Sequence, residues 1–437
     1  MSSSLTGFAV CPSGLEDALV DELQQQPGFR DVRKGRGGAG FVADATSIAR
    51  ANIWARLPTR ILIQAASGTI RKPDDIRAIA TRVLWEKWFT VRQTVRIDLA
   101  VGREPKLDAP LARNYATLLI KDGICDRFRA VRGERPSIDT AHPDIRVWAY
   151  LDQNQLTLYL DTSGEPLFKR GWRQAKGDAP LRENLAAALI AMTQWDRQAA
   201  VMDPFCGSGT LLIEAMQSAL RLPPGYVPSA PRSFAAEQFH TSSPMGQVNW
   251  QALRNDARQA IDQAVQSVEK NRTHPGAGRF LPRLHGSDSD ARMIAVAQRN
   301  AERALPAAVS AAITWQVSSA SACTPIADHG LIMTNPPYGK RLAPSGTSAN
   351  TAIPAPASPS TDDVDAHPRG NPEFERSLAE TLKKQFAGWQ TWILSDNLKL
   401  ETGMRLKAAR RIPVFNGDIE CRWFRFDMVT GSMRDKP

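Results

Sequence analysis

The segment Asp203-Pro-Phe-Cys-Gly-Ser-Gly-Thr210 lies between a short apolar run, Ala199-Ala-Val-Met202, and a segment with helical periodicity, 211–222. A strand, a glycine loop and a helix in this order are typical of a ligand-binding turn in a parallel α/β sheet. The glycines let the backbone approach a ligand, and the helix N-terminus supplies free N–H groups. The loop is neither a P-loop nor a three-glycine dinucleotide fingerprint. The acidic Asp203 favours a cationic or amine-bearing ligand over a pyrophosphate.

The strand-then-helix pattern repeats along the C-terminal part of the chain. A second predicted strand, Arg283-Leu-His285, precedes a helical segment at 291–305. This alternation predicts a parallel, doubly wound sheet. Further strands are predicted at 330–333, at 390–394 and at 420–426, the last of which alternates as an antiparallel strand does. Residues 223–282 interrupt the pattern and are interpreted as an insertion that contains one helix, 250–271.

An acidic motif, Gly286-Ser-Asp288-Ser-Asp290, closes the second predicted strand. An acidic residue at this position of a nucleotide-binding sheet accepts hydrogen bonds from ribose hydroxyls. Such a residue usually lies about 20 residues past the glycine turn, whereas here 79 positions separate Gly209 from Asp288. The insertion accounts for the difference. Helix capping is the alternative for both carboxylates, and it is the preferred interpretation for Asp290.

The run Asn335-Pro336-Pro337-Tyr338 follows the apolar segment 330–333. Two successive prolines stiffen a turn, and the residue before a proline is kept out of the helical region. The predicted loop is therefore rigid and lies at the carboxyl end of a strand, where open α/β sheets bind ligands. The Asn335 side-chain oxygen and the Pro336 carbonyl can accept the two protons of an exocyclic amine, and Tyr338 can lie on a base. A plain proline-rich turn is the alternative.

The 437 residues are enough for two or three domains, and 42% hydrophobic content indicates a globular protein. No run of 18 apolar residues and no signal peptide are seen. The five scattered cysteines predict neither a metal site nor disulfides, which fits a reducing cytoplasm.

The net charge of +10 is uneven, because residues 1–177 carry 27 Lys and Arg against 20 Asp and Glu. Clustered positive charge suggests a polyanionic partner. Each basic segment alone is more often a solvated face than a binding site. The segments are 30–36, 127–135, 169–173 and 405–411.

The first 165 residues are predicted to be α+β. Ser13-Gly-Leu-Glu16 has the form of a capping box before a helix whose Leu15, Leu19 and Leu23 share one face. Strands are predicted at 61–63, 95–101, 147–151 and 156–160, with helical character at 73–85. A boundary is predicted at 163–166, followed by a basic connector, Lys169-Arg-Gly-Trp-Arg173. Segment 343–372, rich in Ala, Pro, Ser, Thr and Gly, is predicted to be a disordered loop.

Taken together, these motifs resemble the class I S-adenosylmethionine-dependent methyltransferases that modify exocyclic amines. Further segments resemble the THUMP-domain guanine-N2 methyltransferases of large-subunit ribosomal RNA, and the resemblance covers nearly the whole chain except 343–372. These segments are Cys11-Pro-Ser-Gly-Leu-Glu16, Leu160-Asp-Thr-Ser-Gly-Glu-Pro-Leu-Phe-Lys-Arg-Gly-Trp-Arg173, Ala179-Pro-Leu-Arg-Glu183 and Asn416-Gly417.

The resemblance implies a ferredoxin-like part at 1–55, a THUMP RNA-binding domain at 56–165 and a Rossmann-like methyltransferase domain at 166–437. It implies S-adenosylmethionine as the cofactor, no metal, and 23S ribosomal RNA or its precursor as the partner. The implied cofactor residues are Asp203, Phe205, Gly207, Gly209, Thr210, Asp288 and Ser319. Asn335, Pro336 and Tyr338 would hold the target base.

Ser319 departs from the family pattern, which has an acidic residue contacting the adenine amine near the end of the fourth strand. The hypothesis is methyl transfer to the N2 amine of a guanine in 23S ribosomal RNA. Transfer-RNA guanine methylation, DNA adenine methylation and a non-catalytic RNA-binding assembly factor stay open as alternatives, as does the oligomeric state. Cys206 is excluded as a nucleophile, because an amine needs no covalent enzyme intermediate and no histidine accompanies the thiol.

Overall fold

The structure is a computed structural model, and it describes residues 4–105, 107, 111–173, 181–227, 230, 232–274, 281–337 and 371–429. Two seven-stranded sheets organise these residues, one in the N-terminal part and one in the C-terminal part. Among the helices of these ranges, none combines the length and the apolar character that a bilayer crossing requires. The predicted fold class, a Rossmann-like domain preceded by an α+β region, is confirmed.

The first sheet is mixed and has the strand order β2-β3-β1-β4-β7-β6-β5. Its strands are β1 (Leu5–Val10), β2 (Arg30–Gly35), β3 (Gly38–Ala43), β4 (Arg60–Thr69), β5 (Val95–Val101), β6 (Ile145–Asp152) and β7 (Gln155–Asp161). The ten-residue β4 pairs antiparallel with β1 through its first half and with β7 along most of its length. Because β4 connects the two halves, the parts predicted to be ferredoxin-like (1–55) and THUMP (56–165) share one continuous sheet.

Among the residues described for this half, four helices cover the sheet: α1 (Glu16–Gln24), α2 (Ala45–Trp54), α3 (Pro73–Arg82) and α4 (Arg113–Arg132). Leu15, Leu19 and Leu23 are fully buried, as the spacing predicts. The predicted capping box is wrong, because no side chain caps α1. Instead, the Glu16 carboxylate accepts hydrogen bonds from the backbone of Gly14 (2.7 Å) and Gly37 (3.3 Å), which fixes the turn before the helix.

The second sheet has the order β10-β9-β8-β11-β12-β14-β13. Its strands are β8 (Ala200–Asp203), β9 (Leu284–Asp288), β10 (Ile313–Val317), β11 (Gly330–Thr334), β12 (Gln390–Ser395), β13 (Arg410–Asn416) and β14 (Ile419–Asp427). The first five are parallel, and β14 pairs antiparallel with β12, as predicted. The chain order reverses between β8 and β11, so the carboxyl ends of these two strands form the topological switch point of the sheet.

In the described part of the C-terminal half, seven helices accompany the second sheet: α5 (Glu183–Met192), α6 (Thr210–Ala219), α7 (Trp250–Thr273), α8 (Ala291–Ala304), α9 (Ala307–Ser310), α10 (Pro372–Gln385) and α11 (Leu400–Met404). Apolar clusters on both faces of the sheet include Trp423 and Trp392 on one side and Trp389 and Phe424 on the other. The predicted disordered loop, 343–372, lies outside the described residues except for Asn371 and Pro372. These two cap and begin α10, so the predicted loop extends two residues too far.

The predicted insertion, 223–282, forms part of the contact between the two halves of the protein. Gly225 donates a backbone hydrogen bond to Ile53 (2.8 Å), and His240 donates one to Trp88 (2.7 Å). The Phe239 ring packs edge-on against Trp88 with centroids 6.0 Å apart. The insertion therefore joins the second sheet to the N-terminal region.

A buried ion cluster reinforces this contact. Glu214, on α6, is fully buried and lies 3.4 Å from the guanidinium groups of both Arg56 and Arg170. Arg170 donates a further hydrogen bond to the Arg56 carbonyl (2.6 Å), and Arg56 donates one to the carbonyl of Gln217 (2.9 Å). Glu22, on α1, accepts the backbone N–H of Arg56 (2.7 Å). This cluster ties the helix after the glycine loop to the N-terminal region.

We expect Glu214→Ala to lower the free energy of unfolding by about 3 kcal/mol or more, because it leaves two buried guanidinium groups without their carboxylate. Urea denaturation followed by circular dichroism measures the change. Glu165→Ala is the matched control: its side chain is 69% exposed and pairs only with Lys169, so its effect should stay within about 0.5 kcal/mol. A Glu214→Ala protein as stable as the control would contradict this account of the interface.

Candidate active site at the switch point of the second sheet

The glycine loop runs from the end of β8 at Asp203 to the start of α6 at Thr210. Gly207 and Gly209 both have positive φ, +50° and +80°, which favours glycine. A Cβ on Gly209 would lie 2.8 Å from the Trp315 ring, whereas a Cβ on Gly207 would meet nothing closer than 4.0 Å. Gly209 is therefore required for packing against the sheet, and Gly207 presents a bare backbone to open space.

Asp203 joins the two strands at the switch point. Its side chain is buried, with 3% of the residue exposed. Its Oδ1 accepts hydrogen bonds from the hydroxyl of Thr334 at the end of β11 (2.7 Å) and from the backbone of Phe205 (3.1 Å). The pKa of this carboxyl is raised to about 7, chiefly by burial and to a smaller extent by the nearby Asp288 charge, against the lowering effect of the two hydrogen bonds. A carboxylate in this state favours a cation beside it.

Asp288 ends β9 and reaches the glycine loop. Its Oδ2 accepts the backbone N–H of Gly207 (3.1 Å), and its Oδ1 accepts the N–H of Asp290 (2.9 Å). The preferred interpretation of Asp290 is confirmed: its carboxylate caps α8 by accepting the N–H of Arg292 (2.8 Å). The 79-residue separation between Gly209 and Asp288 therefore does not keep the two motifs apart.

Ser319 follows β10, which is the third strand of this sheet in chain order and not the fourth. The neighbouring Ser318 donates a backbone hydrogen bond to the Asp288 carbonyl (3.0 Å), so the loop lies beside the end of β9. Ser319 itself is exposed, and its hydroxyl lies 3.0 Å from that of Ser321. The structure thus places a neutral hydroxyl, with no carboxylate, at this end of β10.

The Asn-Pro-Pro motif leaves β11 directly after Thr334. Asn335 is half-buried and Pro336 is buried. Because β11 ends at Thr334, whose hydroxyl contacts Asp203, the motif begins one residue after that contact. Tyr338 lies outside the described residues. An aromatic pair flanks the same region: the Phe205 ring of the glycine loop packs edge-on against Phe374 of α10, with centroids 5.5 Å apart.

Three side chains that sequence reasoning missed fix the glycine loop. Thr334 holds Asp203, and the buried Asn300 of α8 donates its amide to the Ser208 carbonyl (3.0 Å). Arg173, in the connector, donates to the hydroxyls of Ser208 (2.9 Å) and Thr210 (2.8 Å). The predicted cofactor residue Thr210 therefore has its hydroxyl turned towards the protein. Of these three side chains, only Arg173 belongs to a motif that the sequence indicated, the basic connector 169–173.

The basic segments differ in exposure. Those at the sheet edges and at the end of α4 present exposed cations, among them Arg30, Arg33 and Lys34 on β2, Arg129 and Arg132 on α4, and Arg410 and Arg411 on β13. The connector differs, because Arg170 is 2% exposed and the Arg173 side chain is 10% exposed. Its two arginines therefore serve the interior, and only Lys169 is available to a polyanion.

Within the ranges that the structure covers, no group of three His, Cys, Asp or Glu side chains is arranged so that it could hold a metal ion. The Cys206 thiol is buried, and burial together with the carboxylates of Asp203 and Asp288 raises its pKa well above the ordinary value. The thiol is therefore neutral, which agrees with its exclusion as a nucleophile.

Because its pKa is raised, Asp203 should make the free energy of unfolding depend on pH. Between the ordinary value of 3.8 and about 7, unfolding ionises this carboxyl, whereas the folded protein keeps it protonated. Its contribution therefore lowers the free energy of unfolding as pH rises through this window, by at most about 4 kcal/mol, and is constant above it.

We expect Asp203→Asn to remove that decline while keeping both hydrogen bonds to Oδ1. Urea denaturation at intervals between pH 4.5 and 7.5 measures it. Asp290→Asn is the control, because the pKa of its half-buried carboxyl lies below the ordinary value. That carboxyl therefore contributes no decline of stability in this range. Parallel profiles for wild type and Asp203→Asn would contradict the raised pKa.

Three sequence families match successive parts of the chain. Residues 6–62 match the RlmL ferredoxin-like domain, residues 71–161 match the THUMP domain, and residues 170–350 match the RMKL-like methyltransferase domain. A ribosomal RNA large subunit methyltransferase K/L from Syntrophotalea carbinolica is 32% identical over 438 residues, which cover 98% of this chain and 54% of that protein. The chain thus spans about half the length of the curated relatives it matches.

Solved structures share the fold over nearly the whole chain. The structure of a possible methylase from Clostridium difficile 630 has a TM-score of 0.77 at 23% identity and covers 98% of this chain and 100% of its own. A second structure, titled a "putative methyltransferase complexed with SAH", has a TM-score of 0.75 at 22% identity and covers 99% of this chain and 100% of its own. These likenesses show the fold, and the three matched families identify successive parts of the chain as an RlmL ferredoxin-like domain, a THUMP domain and an RMKL-like methyltransferase domain.

Proposed function

We propose that this protein methylates the exocyclic N2 amine of a guanine in 23S ribosomal RNA, with S-adenosylmethionine as the methyl donor. Curated relatives bear the name ribosomal RNA large subunit methyltransferase K/L, and one structure of the same fold was determined with SAH. We assign RNA binding to a ferredoxin-like part at 1–55 and a THUMP part at 56–165. We assign catalysis to a domain at 166–437.

One observation carries the proposal: the buried Asp203 connects the glycine loop to the strand that ends in the Asn-Pro-Pro motif. Its hydrogen bond to Thr334 brings the loop and the motif to one place. A cofactor held against Gly207 and a base held against Asn335 would therefore share one cleft. Methyl transfer depends on this closeness of the two ligands, since correct positioning alone can lower the activation barrier by about 7–11 kcal/mol.

The residues around the glycine loop fit an adenosyl cofactor. The carboxyl of Asp203 would attract the amino group or the sulfonium, and the open face of Gly207 and the Phe205 ring would admit the methionine part. Asp288 would accept the ribose hydroxyls, Gly209 would hold the loop on the sheet, and Thr210 would begin the helix. Ser319 would accept a hydrogen bond from the adenine amine. When bound, S-adenosylmethionine supplies an electrophilic methyl group.

The Asn335 side-chain oxygen and the Pro336 carbonyl would accept the two protons of the guanine amine. These hydrogen bonds turn the nitrogen lone pair towards the donor and stabilise the positive charge that develops on nitrogen. Tyr338 would stack on the base. No general base is needed before transfer, because the amine is neutral and nucleophilic. The N–C bond would form as the S–C bond of the donor breaks, SAH would leave as a neutral thioether, and the methylated nitrogen would then lose one proton to water. The base must leave its stack, at a cost of a few kcal/mol, and RNA contacts elsewhere would offset that cost.

The exposed cations of the N-terminal sheet are the proposed RNA contacts. Residues 1–177 have an excess of seven positive charges, and Arg30, Arg33 and Lys34 lie exposed on the edge strand β2. Lys and Arg on such a surface bind phosphates without reading sequence. This feature favours RNA over a small-molecule substrate.

A non-catalytic assembly factor is the rival function, and the neutral Ser319 at the end of β10 is the observation that favours it. Isothermal titration with S-adenosylmethionine separates the two, because an enzyme must bind the cofactor and an assembly factor need not. We expect saturable binding at one site. Absence of binding by folded protein would overturn the proposal.

We expect Asn335→Ala to lower the rate of methyl transfer about 100-fold or more, because it removes an acceptor that acts on the reacting amine. The affinity for S-adenosylmethionine should change by less than about threefold. Transfer of tritiated methyl groups to ribosomal RNA and calorimetric titration give the two numbers. Asn249→Ala, which alters the remote cap of α7, is the control and should retain activity. A fully active Asn335→Ala protein would show that the motif has another role.

The substrate itself is tested by mass spectrometry of nucleosides from the ribosomal RNA, the transfer RNA and the DNA of cells with and without this protein. Loss of N2-methylguanosine from 23S RNA alone is the expected result. Loss confined to transfer RNA would favour the alternative substrate, and loss of N6-methyladenine from DNA would exclude RNA methylation as the main activity.

A further inference from the structure

Arg173 has an unusual setting for an arginine in a basic connector. Its side chain is 10% exposed, and it pairs with Glu183, which is 5% exposed, through an Nε–Oε1 contact of 2.9 Å. Its other nitrogens donate to the Ser208 hydroxyl (2.9 Å), the Thr210 hydroxyl (2.8 Å) and the Leu181 carbonyl (3.0 Å). A guanidinium with four partners in a fixed planar arrangement constrains all of them relative to one another.

Two of these partners flank Gly209, the residue that packs against Trp315. The Ser208 and Thr210 hydroxyls lie 3.2 Å apart and both accept from Arg173, so the arginine holds the loop from the side of α5. Asn300 holds the Ser208 carbonyl from the side of α8. The backbone between Gly207 and Thr210 is therefore fixed before any ligand arrives, and its glycines alone would leave it free to move.

The connector that carries Arg173 is itself anchored. Trp172 is fully buried, and its carbonyl accepts the Arg303 guanidinium (3.0 Å). Three residues before Arg173, Arg170 contacts Glu214 and the Arg56 carbonyl. The guanidinium is thus attached to a segment held by both halves of the protein, and it is too buried to serve as an RNA contact.

We propose that Arg173 is a positioning residue, which sets the affinity for the adenosyl cofactor by holding the glycine loop through Ser208 and Thr210. The inference rests on the proposed methyltransferase function and deepens it. Arg173 acts through the loop, without contact with the target base, so its loss should weaken cofactor binding and leave the apparent affinity for RNA nearly unchanged.

The test compares Arg173→Gln, Arg173→Lys and the control Lys169→Gln in the full chain. SAH affinity is measured by calorimetry, and kcat and the KM for RNA are measured at saturating cofactor. We expect Arg173→Gln to raise the Kd for SAH at least about tenfold, since displacement of a bound group by about 1 Å removes well-oriented contacts. The KM for RNA should change less than about twofold. Arg173→Lys should restore part of the affinity, because one ammonium cannot reach both hydroxyls and Glu183. Lys169→Gln, in an exposed pair with Glu165, is the control for cofactor affinity alone and should have the Kd for SAH of wild type.

A purely structural role gives a different result: a lower melting temperature with an unchanged Kd for SAH in the folded protein, which would overturn the proposal. If Arg173→Gln does not fold, the double variant Ser208→Ala, Thr210→Val removes the two hydroxyl acceptors and keeps the Arg173–Glu183 pair. Wild-type SAH affinity in that variant would also overturn it. Failure of wild type to bind SAH is a separate outcome, which contradicts the proposed function itself.

Discussion

The hydrogen bond between Asp203 and Thr334 is the contact on which the rest of the site depends. It crosses from the first parallel strand of the second sheet to the strand beside it, at the point where chain order reverses. A buried carboxyl is unfavourable unless its oxygens have partners, and this one has a hydroxyl and a backbone N–H on one oxygen. Both of these hydrogen bonds go to Oδ1 of Asp203, and the pKa of the carboxyl is raised. A positive charge beside Oδ2 would therefore stabilise the ionised form. The site therefore combines rigid geometry with an electrostatic preference that a cationic ligand would satisfy.

A second constraint on the glycine loop comes from α6, because this helix also makes contacts with the N-terminal region. The N-terminus of this helix follows the glycine loop, its middle carries Glu214, and its C-terminal carbonyls accept Arg56. Because one helix carries all three, the position of the loop depends on the contact between the two halves of the protein. The connector arginines act in the same way, since Arg170 and Arg173 lie three residues apart and face the interface and the loop, respectively. The N-terminal half and the C-terminal half are thus mechanically connected through short, buried polar contacts.

The elements predicted from the sequence are those with strong periodicity and few exceptions. The strands β5, β8, β11 and β12 and the long helix α7 lie within one or two residues of their predicted positions. The edge strand β13 was missed, because Pro413 and two arginines made it look like a charged segment. The strand β3 was missed, because Gly38 and Gly40 hide its alternation, and α4 was missed, because Tyr115 and Leu118 are exposed and blur its apolar face. In the site, local motifs indicated the loop, Asp288 and the Asn-Pro-Pro turn. The roles of Thr334, Asn300 and Arg173 arise from contacts between distant segments, which no local pattern encodes.

The sharing of β4 between the two N-terminal parts limits how the chain can be shortened. Removing the first 55 residues would delete β1, β2 and β3 and leave half of β4 with unpaired backbone groups along its edge. Exposed strand edges of this kind pair with other molecules, so such a fragment would aggregate before its RNA affinity could be measured. The same cut would remove Ile53, whose carbonyl accepts Gly225 from the insertion. Fragments intended for crystallisation or for RNA-binding assays should therefore keep the N-terminal region whole and extend from Leu5 through Asp161.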